Sequence, residues 1–283
     1  MNRIKTLTAL AALCGFAVVP AMAATTNLYA PYNTSFNLAI GSPSAPTTNG
    51  TVTSVASFTN SAGNAAYFGS NVNSLDYGAA SSYVPDFGNS VIGVKSNTFR
   101  LLYKPDFSGN PTIFRANFLG LGALGSGDGI YLSHSDGGMP AFRLSFNGSF
   151  KDNPLGAGSG FSWDPNTWYY LAGSLDSQSS LFYVRALTNG STPFVSAQNF
   201  GGAVNWGNGG FGSIALRVGG RVFSGTEGAR GTIDDVLIVN NAMWNTTDFN
   251  SDFAFVIPEP SSVSLLAVAL GGLLLARRKA RME

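Results

Sequence analysis

The chain has 283 residues, 35 of them glycine, with 45% hydrophobic and only 11% charged residues. That composition excludes a helical bundle, which would be rich in Glu, Lys and Leu, and favours a turn-rich β protein with an extracellular type of surface. The sixteen basic residues include six at the ends (Arg3, Lys5, Arg277, Arg278, Lys279, Arg281), and the fifteen acids include Glu259 and Glu283. Ten basic and thirteen acidic residues remain between them, a charge of −3, so no basic patch points to nucleic acid.

Residues 1–23 read as a secretory signal peptide. Arg3 and Lys5 supply the positive end, Leu7 to Val19 the apolar stretch, and Ala21-Met22-Ala23 the small-x-small cleavage site. Signal peptidase and the Sec machinery are the partners this implies. The single cysteine, Cys14, lies inside that stretch and is lost on cleavage. Disulfides and thiol chemistry are therefore excluded from the mature chain, whose stability must come from the size of its core.

Residues 24–257 read as one domain, best supported from about residue 89. Thr51 to Phe58 has the spacing of a strand. Thr98 to Lys104 alternates, with Phe99, Leu101 and Tyr103 inward and Arg100, Leu102 and Lys104 predicted on a mostly wet outer face. Thr112 to Phe118, Gly129 to Ser133 and Ala141 to Phe146 follow as short strands between Gly and Asn turns. No period of 3.6 stands out, so an antiparallel sandwich is expected.

Chemistry can be tested by inventory. A glycosidase needs two positioned carboxylates, yet the domain has one glutamate, Glu227, and Asp234 and Asp235 are adjacent, so a regular strand would send them to opposite faces. His134 is the only histidine and reads as a solvated residue where a strand enters a turn, which disfavours a Ser-His-Asp hydrolase and a His-based metal site. Gly120, Gly122 and Gly125 match the dinucleotide-binding glycine pattern, but the Ser-Gly-Asp-Gly run after them cannot start the helix that pattern requires.

A series of landmarks follows. Trp163-Asp164-Pro165-Asn166-Thr167-Trp168 is a turn with a tryptophan opening the strand Tyr169 to Leu175. Leu181 to Leu187 runs into Thr188-Asn189-Gly190, Ile214 to Gly220 alternates, and Gly231-Thr232-Ile233-Asp234-Asp235-Val236-Leu237-Ile238 is apolar on both faces. Trp168, Ile214, Leu216 and Val218 are expected core residues. This series resembles the laminin-G-like, concanavalin A-like jelly-roll family, and the resemblance implies an all-β antiparallel jelly-roll β-sandwich. Some members hold a structural Ca²⁺ with an Asp of the terminal strand, which makes Asp234 and Asp235 candidate ligands; the remaining oxygens such a site needs are not identified. Sugar binding would use loop aromatics, for which Trp206 and Trp163 are the candidates.

The tail, residues 258–283, opens with Pro258-Glu259-Pro260, continues with an apolar run from Val263 to Ala276, and closes with Arg277, Arg278, Lys279 and Arg281. It resembles a PEP-CTERM sorting signal, which implies processing by an exosortase of a Gram-negative, exopolysaccharide-making bacterium. Fourteen helical residues span about 21 Å, short of a hydrocarbon core of roughly 30 Å, as suits a temporary membrane hold with the basic end in the cytoplasm. The expected protein is exported and non-enzymatic. It is held by its C-terminal helix and then placed at the cell surface or in the matrix, where it binds glycan or matrix through the jelly-roll domain. A polysaccharide-active glycoside hydrolase of the same fold, or a purely structural matrix component, are the alternatives.

Overall fold

The computed structural model describes residues 25–30, 32, 45–58, 64–70, 73–79, 96–109, 117–123, 129–134, 138–146, 149–202, 214–220 and 228–257. The expected signal peptide, Trp206, Glu227 and all of the expected sorting tail, with Pro258, Glu259, Pro260, Arg277, Arg278, Lys279 and Arg281, lie outside them.

In chain order the strands are β1 (Thr25–Ala30), β2 (Thr47–Asn49), β3 (Val52–Ala56), β4 (Asn64–Phe68), β5 (Ser74–Ala79) and β6 (Asn97–Pro105). Then come β7 (Asn117–Ala123), β8 (Gly129–His134), β9 (Pro140–Phe146), β10 (Ser149–Phe150) and β11 (Asn153–Pro154). The last are β12 (Tyr169–Leu175), β13 (Ser179–Ala186), β14 (Phe194–Asn199), β15 (Ile214–Val218) and β16 (Gly231–Asn240), followed by a helix, α1 (Thr246–Val256).

They form two antiparallel sheets. The first runs β14-β13-β12-β6-β16-β4-β3, and the second β10-β9-β8-β7-β15-β5-β2 with β11 beside β9. The long strand β16 has two partners along one edge: β4 at residues 231–233 and β1 at 236–240. The expected antiparallel β-sandwich is present.

Alternation builds the interior. Phe99, Leu101 and Tyr103 of β6 and Leu171 of β12 face Phe142 and Leu144 of β9 and Leu216 and Val218 of β15 in one buried cluster. The rings of Phe99 and Phe142 stand 6.1 Å apart. Gly173 makes that approach possible, because a Cβ there would lie 2.5 Å from the Phe142 ring. Gly173→Ala should therefore cost about 1–3 kcal/mol by overpacking. Urea unfolding checks it; a variant as stable as the parent would show that the two sheets are free to move apart.

Three expectations are corrected. The outer face of β6 is not wet: Arg100 is 4% exposed and Leu102 fully buried, because α1 covers that face. Phe249, Phe253 and Val256, spaced i, i+4, i+7, pack with Trp244 on Leu102, Tyr170, Ala172 and Tyr183. A helical period is thus present, and it starts at a capping box. The Asn245 side chain accepts from the amides of Thr247 and Asp248, and the Asp248 carboxylate accepts from the Asn245 amide.

The third correction is His134, which is fully buried at the end of β8 rather than solvated. Its ring stacks on Trp163 at 4.9 Å and 6°, beside Phe107 and Phe118. Burial lowers its pKa to about 3, so it stays neutral at physiological pH. The Gly120-Gly122 segment lies within β7 and begins no helix.

Candidate functional site

The outer face of the first sheet is covered by α1 at its centre and open at one end. The register of the strands brings four side chains into a row there. Tyr169 pairs with Tyr103, which sets Trp168 beside Lys104; Lys104 pairs with Thr232, and Thr232 with Tyr67. Their sequence neighbours Tyr169, Tyr103 and Ile233 point into the core, so by strand alternation the row points outward. Four adjacent strands place its ends roughly 14 Å apart.

These residues line a groove of about 380 Å³, completed by Val55, Ala56, Pro105, Asp106, Pro165 and Gly231. Local sequence dictates its shape. The Asp164 carboxylate caps its own turn, accepting from the Asn166 amide at 2.8 Å and the Thr167 hydroxyl at 3.1 Å, which fixes Pro165 and the entry to β12. Gly231 has φ 134°, and a Cβ there would collide with the Lys104 carbonyl oxygen. Only glycine lets β16 start against β6 at this point.

Trp168 is half-buried, its ring 6.1 Å from that of Phe58. It is therefore not the full core residue expected, although Leu216 and Val218 are; the side chain of Ile214 lies outside the described residues. Asp106 pairs with Arg230 at 3.3 Å, and Lys104 forms no ion pair among the described residues. Aromatic walls, an ammonium group and an apolar floor suit a ligand with both C–H faces and hydroxyl groups.

Asp234 and Asp235 are not among the residues that line this groove, although Asp234 follows Thr232 by two positions on β16. Strand β16 bulges between Asp234 and Leu237, and Asp235 takes φ 52°. Ile233 and Val236 both point inward, so the two carboxylates do not go to opposite faces as a regular strand would require. Asp235 pairs with Arg100 at 2.6 Å, and Arg100 also reaches Asp252 of α1 at 3.2 Å. Asp234 accepts from the Ser57 hydroxyl and from the Asp235 amide. The Arg100 guanidinium pairs with Asp235, and among the described residues no group of three or more His, Cys, Asp or Glu gathers.

Burial pushes the Asp234 carboxyl up to about 7, with the Ser57 hydrogen bond opposing the rise and the Asp235 charge adding to it. A raised carboxyl pKa means the fold favours the protonated form. Its contribution to stability is full below about pH 4 and is lost as pH rises through about 7. Asp234→Asn should therefore gain on the parent between about pH 5 and about pH 8, by at most about 1.4 kcal/mol per pH unit. Unfolding curves at the two pH values test this, and a pH-independent difference would contradict it.

Several solved structures share this architecture. Domain 4 of AbnA, a GH43 extracellular arabinanase of Geobacillus stearothermophilus solved with arabinotriose, superposes over 82% of this chain and 98% of its own, at 16% identity and TM-score 0.55. The botulinum neurotoxin serotype G binding domain matches over 82% of this chain and 51% of its own, at 11% identity and TM-score 0.55. The enzymatically active domain of tailspike protein 2 from bacteriophage CBA120 matches over 75%, at 16% identity and TM-score 0.52. They share its fold. This chain covers 31% of the tailspike chain. No protein-family model matches the sequence, and no curated protein does.

Of the two candidate glycan contacts, Trp206 lies outside the described residues, and Trp163 is corrected. Trp163 is 2% exposed, its indole N–H donates to the Gly138 carbonyl at 2.9 Å, and His134 covers one ring face. No sugar can stack there. Sequence reasoning missed Trp168, Tyr67, Lys104 and Asp106; the available signal was the second tryptophan of the same turn.

Proposed function

We propose that this chain is an exported, non-enzymatic surface or matrix protein whose sandwich, of the concanavalin A-like jelly-roll kind, binds glycan in the groove beside Trp168. The observation that carries the reading is the row Trp168, Lys104, Thr232 and Tyr67 across four strands, an aromatic at each end and polar groups between. A sugar ring laid along it meets aromatic faces with its C–H bonds and donors and acceptors with its hydroxyls. The arabinanase domain of similar fold, solved with arabinotriose, lends support to that ligand class.

A hydrolase reading is weaker on this groove. Among its described lining residues the one carboxylate is Asp106, and it is engaged by Arg230, where glycosidases use a facing pair. In the same proposal the signal peptide delivers the chain, the PEP-CTERM tail holds it in the inner membrane, and exosortase cuts at Pro258-Glu259-Pro260. A glycan array probed with the purified full chain tests the binding claim. Saturable binding to a polysaccharide without release of reducing ends is expected; binding to none would sink it, and released reducing ends would make the chain an enzyme.

A further inference from the structure

Charge in the groove beside Trp168 is unevenly matched. Lys104 stands within the outward row on β6, a strand that pairs with β12 on one side and with β16 on the other. Register sets it between Trp168 and Thr232, each on a strand roughly 4.8 Å away. Tyr103 before it belongs to the core, so the Lys104 side chain leaves the sheet on the groove side. Its flexible four-carbon stem lets the ammonium reach across the groove while the backbone stays fixed in the sheet.

The carboxylates that register and turn bring near Lys104 are engaged elsewhere. Asp106, two residues further along β6 and on the same face, pairs with Arg230 at 3.3 Å. Asp234, two residues after Thr232 on β16, is 1% exposed and accepts from the Ser57 hydroxyl and the Asp235 amide. Asp164, next to Pro165 at the rim, accepts from the Asn166 amide with one oxygen and from the Thr167 hydroxyl with the other. The Lys104 ammonium makes no hydrogen bond or ion pair among the described residues. The lining thus holds a cation with no carboxylate of its own.

We infer that, given the glycan reading of this groove, its ligand is an acidic polysaccharide built of uronic acid units. The Lys104 ammonium pairs with a ring carboxylate, and Trp168 and Tyr67 take the faces of the sugars on either side. A uronic acid has the form this row requires. Its carboxylate projects from the edge of the ring, which leaves the C–H faces free to lie against aromatic side chains, and one ammonium matches one carboxylate charge. A neutral sugar would meet the same aromatics and leave the ammonium in water.

The test uses the full chain labelled with ¹⁵N-tryptophan, with the Trp168 indole resonance assigned from Trp168→Phe, so that binding is read at the groove itself. Trisaccharides of glucuronate, mannuronate and galacturonate are titrated beside the same trisaccharides after reduction of their carboxyl groups to alcohols, which preserves linkage and stereochemistry. At low salt at least one acid should move the Trp168 resonance saturably and bind about tenfold more tightly than its reduced counterpart, the size of one charge-assisted hydrogen bond. Lys104→Gln should abolish that preference and Lys104→Arg restore it. Raising NaCl from about 0.02 M to about 0.5 M should weaken the acid several-fold and leave the alcohol unchanged. The salt comparison needs no variant and keeps the test valid if Lys104→Gln fails to fold.

Equal affinity for acid and alcohol at Trp168 overturns the acidic ligand and leaves the glycan groove standing. A preference for the acid that survives in Lys104→Gln overturns the role of Lys104, and an acid affinity indifferent to salt overturns the ion pair. If no trisaccharide moves Trp168, the acidic ligand falls, and the glycan array decides the groove by itself.

Discussion

Arg100→Ala should lower the stability of the domain by about 3–5 kcal/mol, which for a domain of this size means a fall in Tm of about 6–20 °C. Arg100 is 4% exposed and holds two carboxylates from different elements, Asp235 of β16 and Asp252 of α1. Burial alone would lower its pKa, but Asp235 and Asp252 outweigh that and raise it, so the guanidinium stays charged. Alanine would leave both carboxylates unpaired in a dry layer, and Tyr170, which donates to Asp252 at 2.7 Å, cannot neutralise them. The helix would lose its polar clamp while keeping the packing of Phe249 and Phe253.

Combining Arg100→Met with Asp235→Leu and Asp252→Leu should recover much of the loss, because an apolar replacement removes the buried charges together. Thermal melts of the single and triple variants test this. A triple variant no better than Arg100→Ala would mean that the network fixes the bulge at Asp235, and not only the charge balance.

Trp168→Ala should weaken glycan binding about 30-fold, corresponding to roughly 2 kcal/mol for a central aromatic contact. The residue is half-buried and packs on one side against Phe58, so the loss of stability should be smaller, about 1–2 kcal/mol. Titration calorimetry with the tightest-binding polysaccharide fragment reads the first, and urea unfolding the second. Equal losses at Trp168 and at a residue outside the groove, such as Val195, 44% exposed on β14, would show that the effect is not local.

The alternating strands were legible because one face is apolar: β6, β8 and β9 fall where Phe99, Leu101 and Tyr103, or Phe142 and Leu144, set the period. In β12 both faces are apolar. Tyr169 and Leu171 alternate with Tyr170 and Ala172, and nothing in the sequence says which set is inward. That ambiguity led to Trp168 being read as core and Trp163 as a surface ring, when the turn between them reverses the assignment. The outer set is apolar because α1 covers it, and the helix itself was announced only by Asn245 and Asp248 and the spacing of Phe249, Phe253 and Val256.

His134 shows a different failure. The Ser-Asp-Gly-Gly run after it reads as a turn, yet β8 extends through it and stacks the imidazole on Trp163. The bulge at Asp235 has no local sequence signature at all. It follows from the tertiary pairing of Arg100 with Asp235 and from β16 meeting β4 and β1 along one edge. The groove depends on register across four strands, one of which, β4, lies in the stretch before residue 89 where few landmarks exist.

The most direct test of a glycan-binding groove is a crystal structure of the full chain with the oligosaccharide that binds it most tightly. Density for a sugar ring against Trp168, between Tyr67 and Lys104, is the predicted result. A sugar bound only on the second sheet, or only at loops remote from β6 and β16, would contradict the assignment.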